Sequence, residues 1–324
     1  MILGATLVRT GYGFRYHPYR DRSRVSLAFG TRTGKLHVEA ATEIPLRRPS
    51  ILGRLEALAT GAYVSRYYGL GNETEGGDRL SRYEAFGLEY RLQGAVSVGI
   101  SPALSLEGGA GLALHDPEGN QGTALAEERP YGYEGFTSLS LFAGLRWDRR
   151  DDTARPTEGW TLEVAGRYFP ELADVASGFG RGRISGTTYL SAPGFPLSPT
   201  LALQVGGEKV WGDFPYQEAA VLGGSRGLRG FPEERFRGDA SLFGASELRV
   251  RLGSLPPILP GSWGATASAE RGRVWWRGED SDRWHDTYGG GVWASILDTF
   301  TVSLSLARSD EGTRFLYGGG GFQF

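Results

Sequence analysis

The feature that most limits what this chain can become is an alternation of apolar and polar residues with a period of two. It is clearest in FTVSLSLAR, where Phe300, Val302, Leu304 and Leu306 fall on one face and Thr301, Ser303 and Ser305 on the other. Successive side chains of a strand point to opposite faces, so this period specifies a strand with one apolar and one polar side. GWTLEVAGRYF repeats it, with Trp160, Leu162, Val164 and Tyr168 against Thr161, Glu163 and Arg167. So does SELRVRL, with Leu248, Val250 and Leu252 against Glu247, Arg249 and Arg251. Segments of this kind predict strands near 2–15, 22–32, 35–45, 52–66, 82–100, 104–115, 136–149, 158–170, 179–192, 198–211, 240–252, 262–275, 285–297, 299–309 and 315–324. No segment carries a helical period, and the expected class is all-β.

Composition narrows the setting. With 51 glycines, 16 Phe, 15 Tyr and 8 Trp, the chain is rich in residues suited to turns and strands. Cysteine is absent, which removes disulfides and thiolate metal sites. A formal charge of -2 leaves no electrostatic footprint for nucleic acid. No apolar run is long enough for a membrane helix or a signal-peptide core, and Met1 leads directly into a strand-like segment.

A soluble β-sandwich or propeller would show the same alternation. Three features point instead to a transmembrane antiparallel β-barrel. Several strands carry Arg and Glu in the middle of the polar face, while the apolar face ends in aromatics. Trp263 and Trp275 share a face about 40 Å apart at ~3.3 Å per residue, and a ~40° tilt brings that to about 30 Å, the spacing of aromatic girdles around an apolar band. Short links such as PGFPL (193–197) and LD (297–298) alternate with long polar ones at 67–81, 116–135, 212–239 and 276–284. TRTG (31–34) and SLPPILPGS (254–262) depart from that scheme. The chain also stops on FLYGGGGFQF, with Phe322 and Phe324 expected on one strand face as an assembly signal.

One segment fits none of the strands. GGSRGLRGFPEERFRGD (223–239) holds five glycines, four arginines and three acidic residues. Within it GLRGF, that is Gly227, Leu228, Arg229, Gly230 and Phe231, resembles the arginine–glycine–aromatic loop tip of the bacterial outer-membrane insertase and translocase superfamily, whose surface antigen barrels include BamA-like and TamA-like proteins and two-partner secretion transporters. The continuation PEERFRGDASLFGASELRVRL, and RYYGLGNETE (66–75), WDRRDDTARPTEGW (147–160), SAERGRVW (268–275) and Phe324, are similar to that family as well, so the resemblance spans nearly all of the chain.

The resemblance implies a 16-strand barrel, of which about fifteen strands are readable, with the arginine loop folded into the lumen between strands 11 and 12. It implies residues 1–324 as a single barrel domain, with a first strand and upstream soluble modules outside it and Met1 a truncation or a false start. It implies a carboxylate partner for Arg229 in an aromatic-x-Asp-x-Gly pattern. Here those positions read Ser268, Glu270 and Gly272, so Glu270 is the expected partner, with Phe231 against the inner wall. The implied work is insertion or translocation of proteins at the bacterial outer membrane through a weak seam between first and last strands, which the glycines at 318–321 suit. The implied partners are outer-membrane lipid, the barrel assembly machinery and an unfolded or secreted substrate protein. The alternative is a membrane anchor or secretion pore for an N-terminally fused patatin-like or metallophosphoesterase domain.

Enzymatic signals are weak, and no cofactor or metal is expected. GGSRG (223–227) spells a nucleophile elbow but lacks the strand-to-helix setting that the elbow needs. His17, His37, His115 and His285 lie on different segments without metal spacing, and Ser281, His285 and Asp286 read as a solvated loop end. Glu279, Asp280 and Asp282 lack the glycine-hinged spacing of a calcium loop and read as a charged tip.

Overall fold

The computed structural model describes residues 2–324 except 15, 47–49, 63, 78, 79, 257, 259, 298, 299 and 323. Arg15 and Thr299 at the ends of expected strands, and Asp298 in a short link, thus lie outside the described residues. Fifteen strands form one antiparallel sheet in which each pairs with its neighbour in sequence. They are β1 (Ile2–Gly13), β2 (Tyr16–Gly30), β3 (Lys35–Pro45), β4 (Ile51–Thr60), β5 (Gly87–Gly99), β6 (Leu104–Pro117), β7 (Phe136–Asp148), β8 (Gly159–Phe169), β9 (Phe179–Ser191), β10 (Thr200–Trp211), β11 (Ala240–Ser254), β12 (Gly261–Trp275), β13 (His285–Ile296), β14 (Phe300–Ser309) and β15 (Arg314–Gly320). β1 and β15 are the two ends of the ladder, and no register joins them among the described residues.

The faces are inverted relative to an ordinary sheet protein. On β11, Leu248 is 42% exposed while its neighbours Glu247 and Arg249 are each 3% exposed. On β14, Phe300, Val302, Leu304 and Leu306 face outward while Thr301 and Ser309 are buried. Trp263 and Trp275 of β12 are also on the outer face. Apolar residues thus cover the outside, and the polar half of each alternation faces the interior.

Connections separate by rim. The long segments after β4, β6, β10 and β12 (61–86, 118–135, 212–239 and 276–284) share one rim with the β14–β15 turn (310–313). The short TRTG link (31–34) and segment 170–178 are on that rim too, and the remaining links lie at the other, together with the ten-residue turn 149–158 and the segment after β15. The arginine loop lies between the tenth and eleventh strands.

Several boundaries differ from expectation. β4 stops at Thr60, and β5 starts at Gly87, because Ser65–Arg66 and Glu84–Ala85 pair with each other in the intervening loop. β2 begins at Tyr16 and pairs with β1 from there. Segment 118–135, expected to contain no helix, holds a single turn, Ala124–Glu128, whose N-cap Thr123 accepts from the Ala126 amide. Five residues are too few to display a helical period. The last strand ends at Gly320, short of the expected Phe324.

Candidate functional site

The arginine loop folds inward instead of standing in solvent. Its two legs pair as a small ladder, Ala220–Leu222 with Phe236–Gly238, and Leu222, Leu228, Phe231, Phe236 and Val274 form a buried cluster. Phe231 meets Phe236 and His285 edge-on at 5.2 and 5.6 Å. Burying this apolar cluster favours an inward loop, but the loop's arginines then need partners within the protein.

Register supplies the partners. On β11 and β12, Ala245 faces Glu270 and Glu247 faces Ser268, so the two carboxylates are diagonal neighbours on the inner face. Glu270 takes the Arg229 amide at 2.6 Å on one oxygen and Arg229 Nε on the other. Arg229 Nη1 donates to Glu247 at 3.2 Å, and Arg249 Nε donates to the other Glu247 oxygen at 2.9 Å. Two arginines and two glutamates therefore form one buried, charge-balanced network, in which Glu247 is a member that the family pattern does not indicate. Its sequence signal was only its place on a polar face.

The glycines of the motif are explained by contact. Gly227 has φ +123, and a Cβ there would lie 2.6 Å from the Phe243 ring. A Cβ at Gly230 would lie 2.4 Å from the Ser309 amide nitrogen, so only glycine lets the tip rest on the β14–β15 hairpin. That hairpin holds the tip directly: Thr313 Oγ1 donates to the Gly230 carbonyl, and Tyr317 Oη donates to the Arg229 carbonyl at 2.8 Å. Gly272 leaves room for Leu222, whose Cδ2 would be 2.9 Å from a Cβ.

Two further loop arginines reach the other rim segments. Arg235 is 2% exposed, donates to Thr74 Oγ1 at 2.8 Å and the Thr74 carbonyl at 2.6 Å, and pairs with Glu311. Burial lowers its pKa, and Glu311 offsets part of that effect. Arg237 donates to the carbonyls of Tyr216 and Arg66, each at 3.1 Å. Burial pushes the Tyr216 phenol up to about 12.

The fully buried Asn72, within RYYGLGNETE, ties segment 61–86 to segment 276–284. Its Nδ2 donates to Ser281 Oγ and the Arg283 carbonyl, both at 2.9 Å, and its Oδ1 accepts from the Val274 amide at 3.0 Å. Glu279, expected as a charged loop tip, instead accepts the Asn72 and Glu73 amides. His285 and Ser281 serve the same junction rather than a solvated end: His285 is buried, with Nε2 3.1 Å from the Asn72 carbonyl oxygen. Ser225 of GGSRG sits in a 3-10 turn with its amide on Glu233, not at a strand-to-helix elbow. Among the described residues no three carboxylates or imidazoles cluster as a metal site. Below the loops lies a cavity of about 600 Å³ whose lining includes Arg91, Arg167, Arg181, Glu107, Glu208 and Glu218.

Phe322 and Phe324 leave the strand line and turn inward. Gly321, at φ +81, donates its amide to the Thr301 carbonyl at 2.7 Å and makes the bend. The Phe322 ring lies 3.9 Å from the Arg249 guanidinium, and the Phe324 ring 5.7 Å from that of Arg229.

Residues 10–293 match the Omp85 superfamily domain. No curated protein sequence matches. Among solved structures, the chain is similar to BamA from Haemophilus ducreyi lacking POTRA domains 1–3, with a TM-score of 0.63 and 14% identity over 98% of this chain and 70% of that one. It is similar to CdiB from Escherichia coli, with a TM-score of 0.64 and 14% identity over 98% of this chain and 58% of that one. CdiB from Acinetobacter baumannii gives a TM-score of 0.55 at 13% identity, over 98% of this chain and 59% of that one. At such identities the structural likeness is one of fold, and the chain spans less than two thirds of either CdiB. The domain match covers most of the sequence, and the chain belongs to the Omp85 superfamily.

Proposed function

We propose that this chain is the membrane-spanning β-barrel of a bacterial outer-membrane insertase or translocase, closed by its first and last strands around the arginine loop. The observation that carries the reading is the inverted sheet: leucines, valines and tryptophans outside, and a buried Arg–Glu network inside. Such an exterior is costly in water and stable in hydrocarbon, where a sheet must also have no open edge. Family membership supports the class of activity. The partners in this reading are outer-membrane lipid, the barrel assembly machinery and an unfolded or secreted polypeptide. Phe322 and Phe324 act as the assembly signal while the chain is still unfolded.

The seam is the working part. β15 pairs with β14 along 314–320, where Gly318, Gly319 and Gly320 add no side-chain contacts of their own, and among the described residues no strand pairs with its outer edge. A strand pair so poorly supplied with side chains opens at lower cost than its neighbours. The test is reconstitution in vesicles of bacterial outer-membrane lipid composition, measuring folding of a small β-barrel client by protease protection. An accelerated client-folding rate is expected. A chain that is a compact monomer without detergent, or that leaves the client rate unchanged, overturns the reading.

A further inference from the structure

The outer face of β12–β15 changes character at the long-loop rim. Along β14 the outward positions read Phe300, Val302, Leu304, Leu306 and then Arg308, and on β15 Arg314 stands above Leu316. The leucines are exposed, so a greasy surface ends at guanidiniums. Arg308 and Arg314 are direct cross-strand partners, and both are exposed. Like charges in that relation repel each other. Among the described residues neither has a carboxylate within 4.0 Å. The nearby acids serve other groups or stay in the turn: Asp286 lies 3.6 Å from Arg271, Glu311 pairs with Arg235 and Arg283, and Asp310 pairs with neither arginine. On β13, Tyr288 is the other cross-strand partner of Arg308 and is also exposed. On β12, Arg273 lies against the rings of Trp275 and Trp284, 4.7 and 5.7 Å from their centres, and its buried Nε has no hydrogen-bond partner among the described residues.

We infer that Arg308 and Arg314 bind the phosphate of an anionic lipid headgroup, whose acyl chains lie on Leu304, Leu306 and Leu316. The inference rests on the membrane-barrel reading above. A phosphate between two facing guanidiniums accepts charge-assisted hydrogen bonds from both planar forks, which turns a repulsive cross-strand pair into an attractive one. Tyr288, Trp275 and Trp284 place the pair at the level where amphipathic rings meet headgroups. The leucines directly below decide between a lipid and a soluble anion, because only a lipid uses the charged and the apolar surface together.

The probe is an equimolar mixture of phosphatidylglycerol and phosphatidylcholine, presented to the full chain folded in detergent, with bound lipid counted by native mass spectrometry. The parent chain is expected to retain phosphatidylglycerol about 5- to 30-fold over phosphatidylcholine, as two cations beside an anionic headgroup allow. Arg308→Gln/Arg314→Gln should bring that ratio to about 1, whereas Arg308→Lys/Arg314→Lys, which keeps both charges, should hold most of it. Lys209→Gln, outward on β10 at the same rim, should change it by less than about twofold. An undiminished ratio in the glutamine pair, an equal loss in Lys209→Gln, or displacement of the lipid by millimolar inorganic phosphate overturns the proposal. If the glutamine pair does not fold, Arg314→Gln decides, with a loss of about threefold expected and no loss overturning it. Protease protection in pure phosphatidylcholine vesicles tests the barrel reading separately. A chain that inserts there without headgroup preference in detergent loses only this proposal, and one that does not insert loses both.

Discussion

Removing Arg229 alone should cost more stability than removing it together with Glu270. In the structure Arg229 and Glu270 side chains are 6% and 2% exposed, and Arg229 also touches Glu247, which Arg249 shares. Arg229→Ala leaves two buried carboxylates facing one guanidinium, and breaking a buried pair in this way costs about 3–5 kcal/mol. Glu270→Gln keeps the shape and one acceptor but leaves two buried guanidiniums sharing the one charge of Glu247, so a cost of about 3–5 kcal/mol is expected here too. In Arg229→Met/Glu270→Leu neither charge remains, and Glu247 keeps Arg249. Replacing a buried pair by apolar residues is often close to neutral, so the double variant should be more stable than Arg229→Ala despite carrying an extra substitution. The assay is denaturant unfolding of the detergent-folded chain, followed by tryptophan emission and by the heat-modifiable shift on gels, for Arg229→Met, Glu270→Leu and their double, the three arms of one cycle. A coupling energy of about 2 kcal/mol or more is expected. Effects that add to within about 0.5 kcal/mol would mean that the two residues do not act as a pair, and would refute the reasoning.

Val205→Arg, at the middle of β10 on the outer face, should cost about 2–4 kcal/mol in a bilayer, against about 0.5 kcal/mol or less if that face meets water; vesicle refolding yields measure the difference. Gly230→Ala should force the loop tip off the Arg308–Ser309 backbone at a cost of about 1–3 kcal/mol, read as a lowered unfolding midpoint. Asn72→Ala leaves the Val274 amide and the Arg283 carbonyl without partners, costing about 1–3 kcal/mol locally, and trypsin should cut within 276–284 faster than in the parent chain. Burial disfavours the Asp151 carboxylate, but hydrogen bonds from Thr157 Oγ1 and the Thr157 and Glu158 amides outweigh that and hold its pKa below the ordinary value. Its contribution to turn 149–158 is therefore complete above about pH 4 and lost as pH falls through the folded value. Near-ultraviolet dichroism of the Trp147–Trp160 pair, rings 4.9 Å apart at the base of that turn, should weaken on acidification, and Asp151→Asn should abolish the dependence.

How much of this was legible beforehand differs by level. Strand existence and order follow from a period-two code that needs no tertiary information, because each strand in such a sheet meets the same two environments. For that reason the expected segments coincide with β1–β15 to within a few residues at most ends. GLRGF and Glu270 were legible only through kinship, since nothing in local spacing joins Arg229 to a residue 41 positions on. Glu247, Asn72, Arg235 and Tyr317 were not singled out, because a polar residue on an inner face looks the same whether it meets water or a buried partner.

The alternation alone therefore determined an all-β chain with one greasy and one charged side per strand. Only the curled sheet decided which polar residues meet, because contacts such as Arg235 with Thr74 or Arg249 with Phe324 join segments far apart in sequence through the interior. The same holds for the bend at Gly321: the alternation would carry the last strand on to Phe324, but the aromatic rings find better partners on two buried guanidinium faces than on the strand line.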